Sequence, residues 1–341
     1  MNPVLVETVR GNWVENIHRG SFAVSDAHGS LIASTGDPAH PILPRSAIKS
    51  LQALALFRSG AVEKFRLDDD AIAMACASHY GEPRHIEIVT RTLEKLGLGA
   101  NDLECGAHPP SSKEARKALA ESGAAPSALH NNCSGKHTGM LADALALGVP
   151  TRDYVTREHP VQKLVRSCVE EVIGVPLSTH ACGTDGCSIP TWAAPLTAFA
   201  TGFARMATGE GLPDDLAKAS RRIFAAATAH PFLIGGTGGL DSEIMEAFGG
   251  RLMLKVGAEG VYCGALIDRG LGFALKIDDG NPPAAGCAIA NLLLAIAEPD
   301  ETERAALGKW ATTTNRNWRG IEVGGMRGAE DAYRAAARAA S

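Results

Sequence analysis

Pro44-Arg45-Ser46-Ala47-Ile48-Lys49 opens a run rich in Ala and Leu that continues to Arg58 and stops before Gly60. Apolar residues fall on nearly every side of this run, as expected of a helix buried in a core. Its first turn therefore projects from a rigid support. Ser46 and Lys49 stand three residues apart, nearly one helical turn. That spacing sets the amine beside the hydroxyl on one face, where a neutral lysine takes the proton of an attacking serine. Moving a lysine from about 10.4 toward 7 requires on the order of 4 to 5 kcal/mol, obtainable from burial and from a nearby cation such as Arg45. Backbone N–H groups at the start of the same helix are natural donors to an oxyanion. Taken alone, Ser46 also reads as an ordinary N-cap.

On the N-terminal side, Ser21–Val24 and Leu31–Ser34 flank Asp26-Ala27-His28-Gly29, a hairpin signal. On the C-terminal side, Arg251–Val256, Val261–Asp268 and Leu271–Ile277 are short β-type runs joined by glycine turns, followed by a helix through Ala297. Between lie helical signals: Asp68–Asp70 capping a helix to Ala77, Arg84–Leu96, a Ser111/Glu114 capping box, Ser134 to Gly148, Leu164–Val172 and Pro213–Ala227. His180–Ser188 reads as a loop. Strands at both ends with helices between give an α+β fold whose antiparallel sheet is formed by both chain ends. No repeat or long linker divides the chain, so residues 1–341 read as one domain with a sheet lobe (1–45 and 240–341) and a mainly helical lobe (46–239).

Composition narrows the function. The 341 residues are 45% hydrophobic and 21% charged, which excludes disorder, and the formal charge of −5 without a basic run argues against nucleic acid as partner. No stretch approaches the roughly 18 apolar residues of a membrane span. The start, Met1–Thr8, carries no secretory pattern, so the cytoplasm is the expected compartment. The eight cysteines are dispersed and read as free thiols or metal ligands rather than a disulfide framework.

Two further motifs bear on chemistry. Ser78-His79-Tyr80 lies in an interhelical break, and Lys255-Val256-Gly257 ends a β-run. Serine and lysine on a buried helix, a polar serine loop, then lysine-x-glycine at a sheet edge resembles the layout of serine β-lactamases and penicillin-binding proteins. Tyr80 stands where those families carry Asn, and Val256 where they carry Thr or Ser. The second constellation joins Asn131-Asn132-Cys133-Ser134-Gly135-Lys136-His137 with Cys182-Gly183-Thr184-Asp185-Gly186-Cys187. Cys133, Lys136 and His137 share a face of a helix's first turn. With Cys187 they offer a soft nitrogen and sulfur set for zinc, with Cys182 and Asp185 in reserve. The bland alternative is a buried Cys133 and a solvated Lys136. Gly235–Gly239 lacks the Lys and Ser/Thr of a phosphate loop and reads as a turn closing over a ligand.

Taken in order, these motifs, with Cys76-Ala77-Ser78-His79-Tyr80-Gly81-Glu82, Glu158-His159-Pro160, Lys255-Val256-Gly257-Ala258-Glu259-Gly260 and Asn315–Arg327, resemble the rhizobial-type (class 3) L-asparaginases of the asparaginase II family. The resemblance covers most of the chain. It implies hydrolysis of L-asparagine, a fold related to serine β-lactamases and glutaminases, a homodimer, and a zinc-type site on Cys133, Lys136 and Cys187. It pairs Ser46 with Lys49 and Ser78 with Lys255, and sets Arg45, Asp185, His137 and Tyr80 around substrate and metal. Within that frame Ser46 is the expected nucleophile and Lys49 its base, with Ser78 and Lys255 relaying a proton; the exchange of the two serines stays open. Arg45 suits the substrate α-carboxylate and Asp185 its α-amino group. Competing readings are a zinc-activated-water amidohydrolase, a glutaminase, and a non-catalytic amino-acid-binding protein. One methylene, worth about 1 to 3 kcal/mol in a pocket, separates asparagine from glutamine.

Overall fold

Strong alternation and turn signals at both ends of the chain converge on one sheet in the computed structural model, which describes residues 1–340. Its strands are β1 (Val4–Arg10), β2 (Trp13–Ser25), β3 (Leu31–Thr35), β8 (Leu252–Gly257), β9 (Val261–Leu266), β10 (Leu271–Ile277), β11 (Thr312–Arg316) and β12 (Glu322–Gly328). The short strands β4 (Pro41–Ile42), β5 (Cys182–Thr184), β6 (Pro190–Trp192) and β7 (Ala194–Pro195) form two separate ribbons. The sheet order is β11-β12-β1-β2-β10-β9-β8, with β3 also paired to β2. Every pairing is antiparallel. The two chain ends meet twice, through Val6 opposite Gly328 and through Ala23 opposite Ala274.

The helices are α1 (Lys49–Gln52), α2 (Leu54–Arg58), α3 (Ala61–Lys64), α4 (Asp69–Cys76), α5 (Pro83–Lys95), α6 (Lys113–Glu121), α7 (Ser134–Leu147), α8 (Pro160–Ile173), α9 (Leu196–Thr208), α10 (Asp214–Ala229), α11 (Pro231–Ile234), α12 (Leu240–Ala247), α13 (Pro282–Ile296), α14 (Glu301–Ala311) and α15 (Glu330–Ala340). The sheet is covered on both faces. A Cβ at Gly272 would sit 2.0 Å from the Ala200 carbonyl oxygen, so only glycine lets β10 approach α9 that closely. Phe22 lies opposite Leu275, on the other face by alternation, and stacks on Tyr333 of α15 with ring centroids 5.9 Å apart. Burial from both sides explains why every residue of β9 is buried, where a one-sided strand would alternate. Among the described residues no helix is long and apolar enough to cross a membrane.

The expected hairpin at Asp26 forms, its carboxylate accepting from the His28 and Ser30 N–H groups. Asp68 caps α4 through the Ala71 N–H, and Gly148, in the left-handed region, ends α7. Three expectations need correction. The run from Ser46 to Arg58 is not one helix: a 3-10 turn spans Arg45–Ile48, with Arg45 at φ 53, before α1 and α2 follow. The cap of α6 is Ser112, whose hydroxyl accepts from Ala115 N–H, not its neighbour Ser111. Residues 180–188 are not all loop, since β5 and β6 pair around Asp185–Ser188. The helices α9, α12, α14 and α15 and the strands β1, β11 and β12 carry weaker local signals; their faces are completed by packing.

Candidate active site

The 3-10 turn carrying Ser46 packs against the end of β8: a Cβ at Gly257 would stand 2.6 Å from the Pro44 carbonyl oxygen and 3.0 Å from the Ala47 nitrogen. Lys49 follows at the start of α1, fully buried, and Ser78 lies two residues past the end of α4. Lys49 Nζ donates to the Ala77 carbonyl and to Ser78 Oγ, the latter at 3.0 Å. Lys255 Nζ, on β8, donates to Ser78 Oγ at 2.9 Å and to its neighbour Val256 O at 2.9 Å. The two lysines therefore converge on one hydroxyl. Among the described residues no hydrogen bond joins Lys49 Nζ to Ser46 Oγ, although the Lys49 N–H bonds to the Ser46 carbonyl. The lysine crosses the core to α4 instead of folding back along its own turn.

Burial pushes Lys255 down to about 8, with Lys49 adding to the effect and Asp241 opposing it. The Asp241 carboxylate, in the first turn of α12, lies 3.7 Å from Lys255 Nζ and accepts from the Val256 N–H at 2.8 Å. Of the expected oxyanion donors, the Ala47 N–H is already engaged by Pro44 O at 3.1 Å.

A second cluster adjoins the first. Lys136 Nζ, in the first turn of α7, donates to Cys187 Sγ at 3.0 Å. Cys133, the residue before α7, has its Sγ 3.1 Å from Asn132 Oδ1, and Cys133, Lys136 and Cys187 are each only 4% exposed. The Cys187 S–H, the charge of Lys136 and the nearby Lys49 hold Cys133 toward the thiolate. Burial opposes the charge of Lys136, but Cys133, Cys187 and Asp185 override it and raise its pKa. Among the described residues no three His, Cys, Asp or Glu gather into a metal site, so this set of two thiols and one amine is distinctive in including a lysine. Cys182, a reserve ligand by spacing, instead bonds to the Gly183 carbonyl.

Arg45 and Asp185 form a partly buried pair, Nε and Nη2 both reaching Oδ1 at 2.9 and 2.7 Å. Burial works against ionisation of Asp185, but Arg45 and Lys136 hold its carboxyl below the usual range. His137 turns away from the thiols: its Nδ1 meets Tyr154 Oη at 2.7 Å, and its buried Nε2 has no partner. Burial and the neighbouring lysines depress its pKa, so the ring is neutral. Tyr80 is half-buried under the 235–239 turn, where a Cβ on Gly236 would touch its ring at 2.7 Å. That turn closes on the protein itself, Thr237 binding Glu82 through both its N–H and its hydroxyl.

Two elements of the site escaped sequence reasoning. Asp241 follows a glycine-rich turn and carries no motif signal beyond an acid in a helix's first turn. His79, inside a recognised motif, is a strut: its Nε2 donates to Ser134 Oγ at 2.8 Å, whose hydroxyl donates to Leu129 O, while its Nδ1 accepts from the Gly81 N–H. The Ser78 loop is thereby tied to the start of α7.

Comparison with solved structures gives low-identity likenesses. Mglu in its glutamate form is 16% identical with a TM-score of 0.42, over 80% of this chain and 59% of that one. A β-lactamase from Mycobacterium bovis is 12% identical with a TM-score of 0.41, over 85% and 94%. A Bacillus glutaminase is 12% identical with a TM-score of 0.37, over 81% and 90%. The chain spans 59% to 66% of the Mglu chains that it matches. No curated protein matches the sequence. The family model described as L-asparaginase II matches residues 6–328, which takes in every motif of the site. The chain belongs to the L-asparaginase II family.

Proposed function

We propose that this protein hydrolyses L-asparagine to L-aspartate and ammonia by serine–lysine nucleophilic catalysis. The observation that carries the reading is the Ser78 hydroxyl between two buried amines, at 3.0 and 2.9 Å. A hydroxyl so held passes protons in either direction: it donates to whichever amine is neutral and accepts from the other. Lys255, with a pKa near 8, is readily freed of its proton just above neutral pH.

In this scheme Ser46 Oγ attacks the side-chain amide carbon of the substrate. Its proton passes to the lysine pair and then, through Ser78, to the departing nitrogen, which leaves as ammonia. Water then attacks the resulting ester by the reverse proton route and restores Ser46. Arg45 meets the α-carboxylate and Asp185 the α-amino group, a paired arrangement of charges matching a zwitterion. Contacts of a catalytic base tighten when substrate arrives, so the open Ser46 hydroxyl is compatible with attack. A second reading, in which Ser78 attacks, is favoured by the two amines already in place around it.

Zinc fits the Cys133, Lys136 and Cys187 set, two soft sulfurs and an amine, all three buried. When bound, it would supply a fixed positive charge and hold Lys136 neutral. Arg45, Asp185 and the serine–lysine relay carry the steps of the reaction. The family reading also brings a homodimer and residence in the cytoplasm, the first open to sedimentation analysis.

The test combines ammonia release from asparagine and from glutamine with mass-spectrometric trapping of an adduct by an electrophilic diazoketone analogue of asparagine. Ser46→Ala is expected to abolish turnover and labelling while the far-ultraviolet spectrum stays unchanged. An adduct on Ser78 in that variant, with turnover, exchanges the serine roles. Folded wild-type protein that releases no ammonia from either amide overturns the reading.

A further inference from the structure

Among the described residues, one carboxylate pairs with the buried serine–lysine centre. Asp241, 4% exposed, reaches it from α12, which no motif linked to β8. We propose that Asp241 is the positioning residue that fixes both the reach and the charge of Lys255 for the serine–lysine reaction, an inference that rests on the asparaginase reading above. Its reach is geometric. By accepting the Val256 N–H at 2.8 Å, Asp241 ties the end of β8 to α12 next to the strand position from which Lys255 projects to Ser78. Its charge acts directly: the Asp241 carboxylate, 3.7 Å from Lys255 Nζ, favours the protonated amine and so opposes the effect of burial.

The groups facing Lys255 come from several elements: Asp241 from α12, Lys49 from α1, and the thiols of Cys76 from α4 and Cys133 before α7. Asp241 is faced in turn by Tyr80 and by Tyr262 of β9, both kept protonated first by burial and then by the charge of Asp241. Among the described residues, Asp241 is the carboxylate that pairs with this amine. Burial raises its own pKa, while Lys255 and the Val256 N–H oppose that rise.

The test is Asp241→Asn, which keeps an oxygen to accept the Val256 N–H and removes the charge. The Lys255 midpoint is read by carbon-13 NMR of lysine Cε in labelled protein, assigned by its absence in Lys255→Met. It is expected to fall by about 1 to 3 units in Asp241→Asn, since an opposite charge within ~4 Å has that effect. The ascending limb of kcat/KM should move to lower pH with it, and Asp241→Glu should restore both. A Lys255 midpoint that stays in place overturns the proposal. Should Asp241→Asn fail to fold, the reciprocal measurement decides: the Asp241 carboxyl midpoint must rise in Lys255→Met, and an unmoved value overturns the proposal. Because the NMR midpoints need no turnover, a protein inactive on asparagine leaves this test intact and sinks the other reading alone.

Discussion

A lysine useful as a base at neutral pH must be uncomfortable as a cation, and Lys255 is. Burial brings it to about 8 from an ordinary value of about 10.4. Below the lower value the amine keeps its proton and cannot accept another, so kcat/KM should rise about tenfold per unit up to pH 8 and flatten above it; a flat profile from pH 6 to 9 would remove Lys255 from the reaction. The same shift acts on stability. Between about 8 and 10.4 the unfolded chain binds a proton that the folded chain lacks, so the contribution of Lys255 improves as pH rises through that window. Asp143 has the opposite sign. Burial raises its carboxyl to about 7, with Ser59 Oγ opposing through a 2.7 Å hydrogen bond. Its cost is therefore absent in acid, grows as pH climbs from about 4, and is complete above 7. Asp143→Asn should stabilise the protein by on the order of 2 kcal/mol at pH 8 and by less at pH 5, as read from urea unfolding at both values.

Element by element, local signals located the site better than its internal wiring. The i, i+3 spacing of Ser46 and Lys49 was legible, and so were the breaks that carry Ser78 and Lys255. The partner of each amine was not, because a buried lysine side chain is long enough to bond a neighbouring element as easily as its own turn. The 3-10 geometry from Arg45 to Ile48 was hidden for a related reason: φ 53 at Arg45 is imposed by the contact with β8, not by the propensity of an arginine. That contact gives a prediction. Gly257→Ala should push the strand from the Pro44 and Ala47 backbone, costing about 1 to 3 kcal/mol of stability and lowering kcat/KM by at least about tenfold through misplacement of Ser46. Thermal unfolding and steady-state rates read the two effects separately; loss of stability without loss of rate would detach the turn from the reaction.

On the scale of the molecule, the thiol–amine cluster sits at the start of α7, to which the Ser78 loop of the serine–lysine centre is tied by His79 through Ser134. Lys136 binds metal only as a neutral amine, and its thiol neighbours raise its pKa, so zinc must displace a proton. Zinc content after dialysis should therefore fall as pH drops from 8 to 5.5, and occupancy independent of pH would exclude Lys136 as a ligand. Chelation also separates the competing mechanisms. Activity that survives full removal of metal supports serine attack, whereas activity lost and restored by zinc supports a metal-activated water.

The sequence by itself determined the α+β class, the hairpin and meander whose strands close the sheet, the caps of several helices and the list of reactive residues. These depend on periodicity, turn chemistry and residue type, all of which act over a few neighbours. Only the tertiary structure decided that two lysines 206 positions apart meet one serine, that Asp241 stands behind one of them, and that His137 faces Tyr154 rather than the thiols. Such contacts follow from which faces pack together once the core excludes water, and a buried amine or ring then bonds the nearest polar atom in space, however remote in the chain.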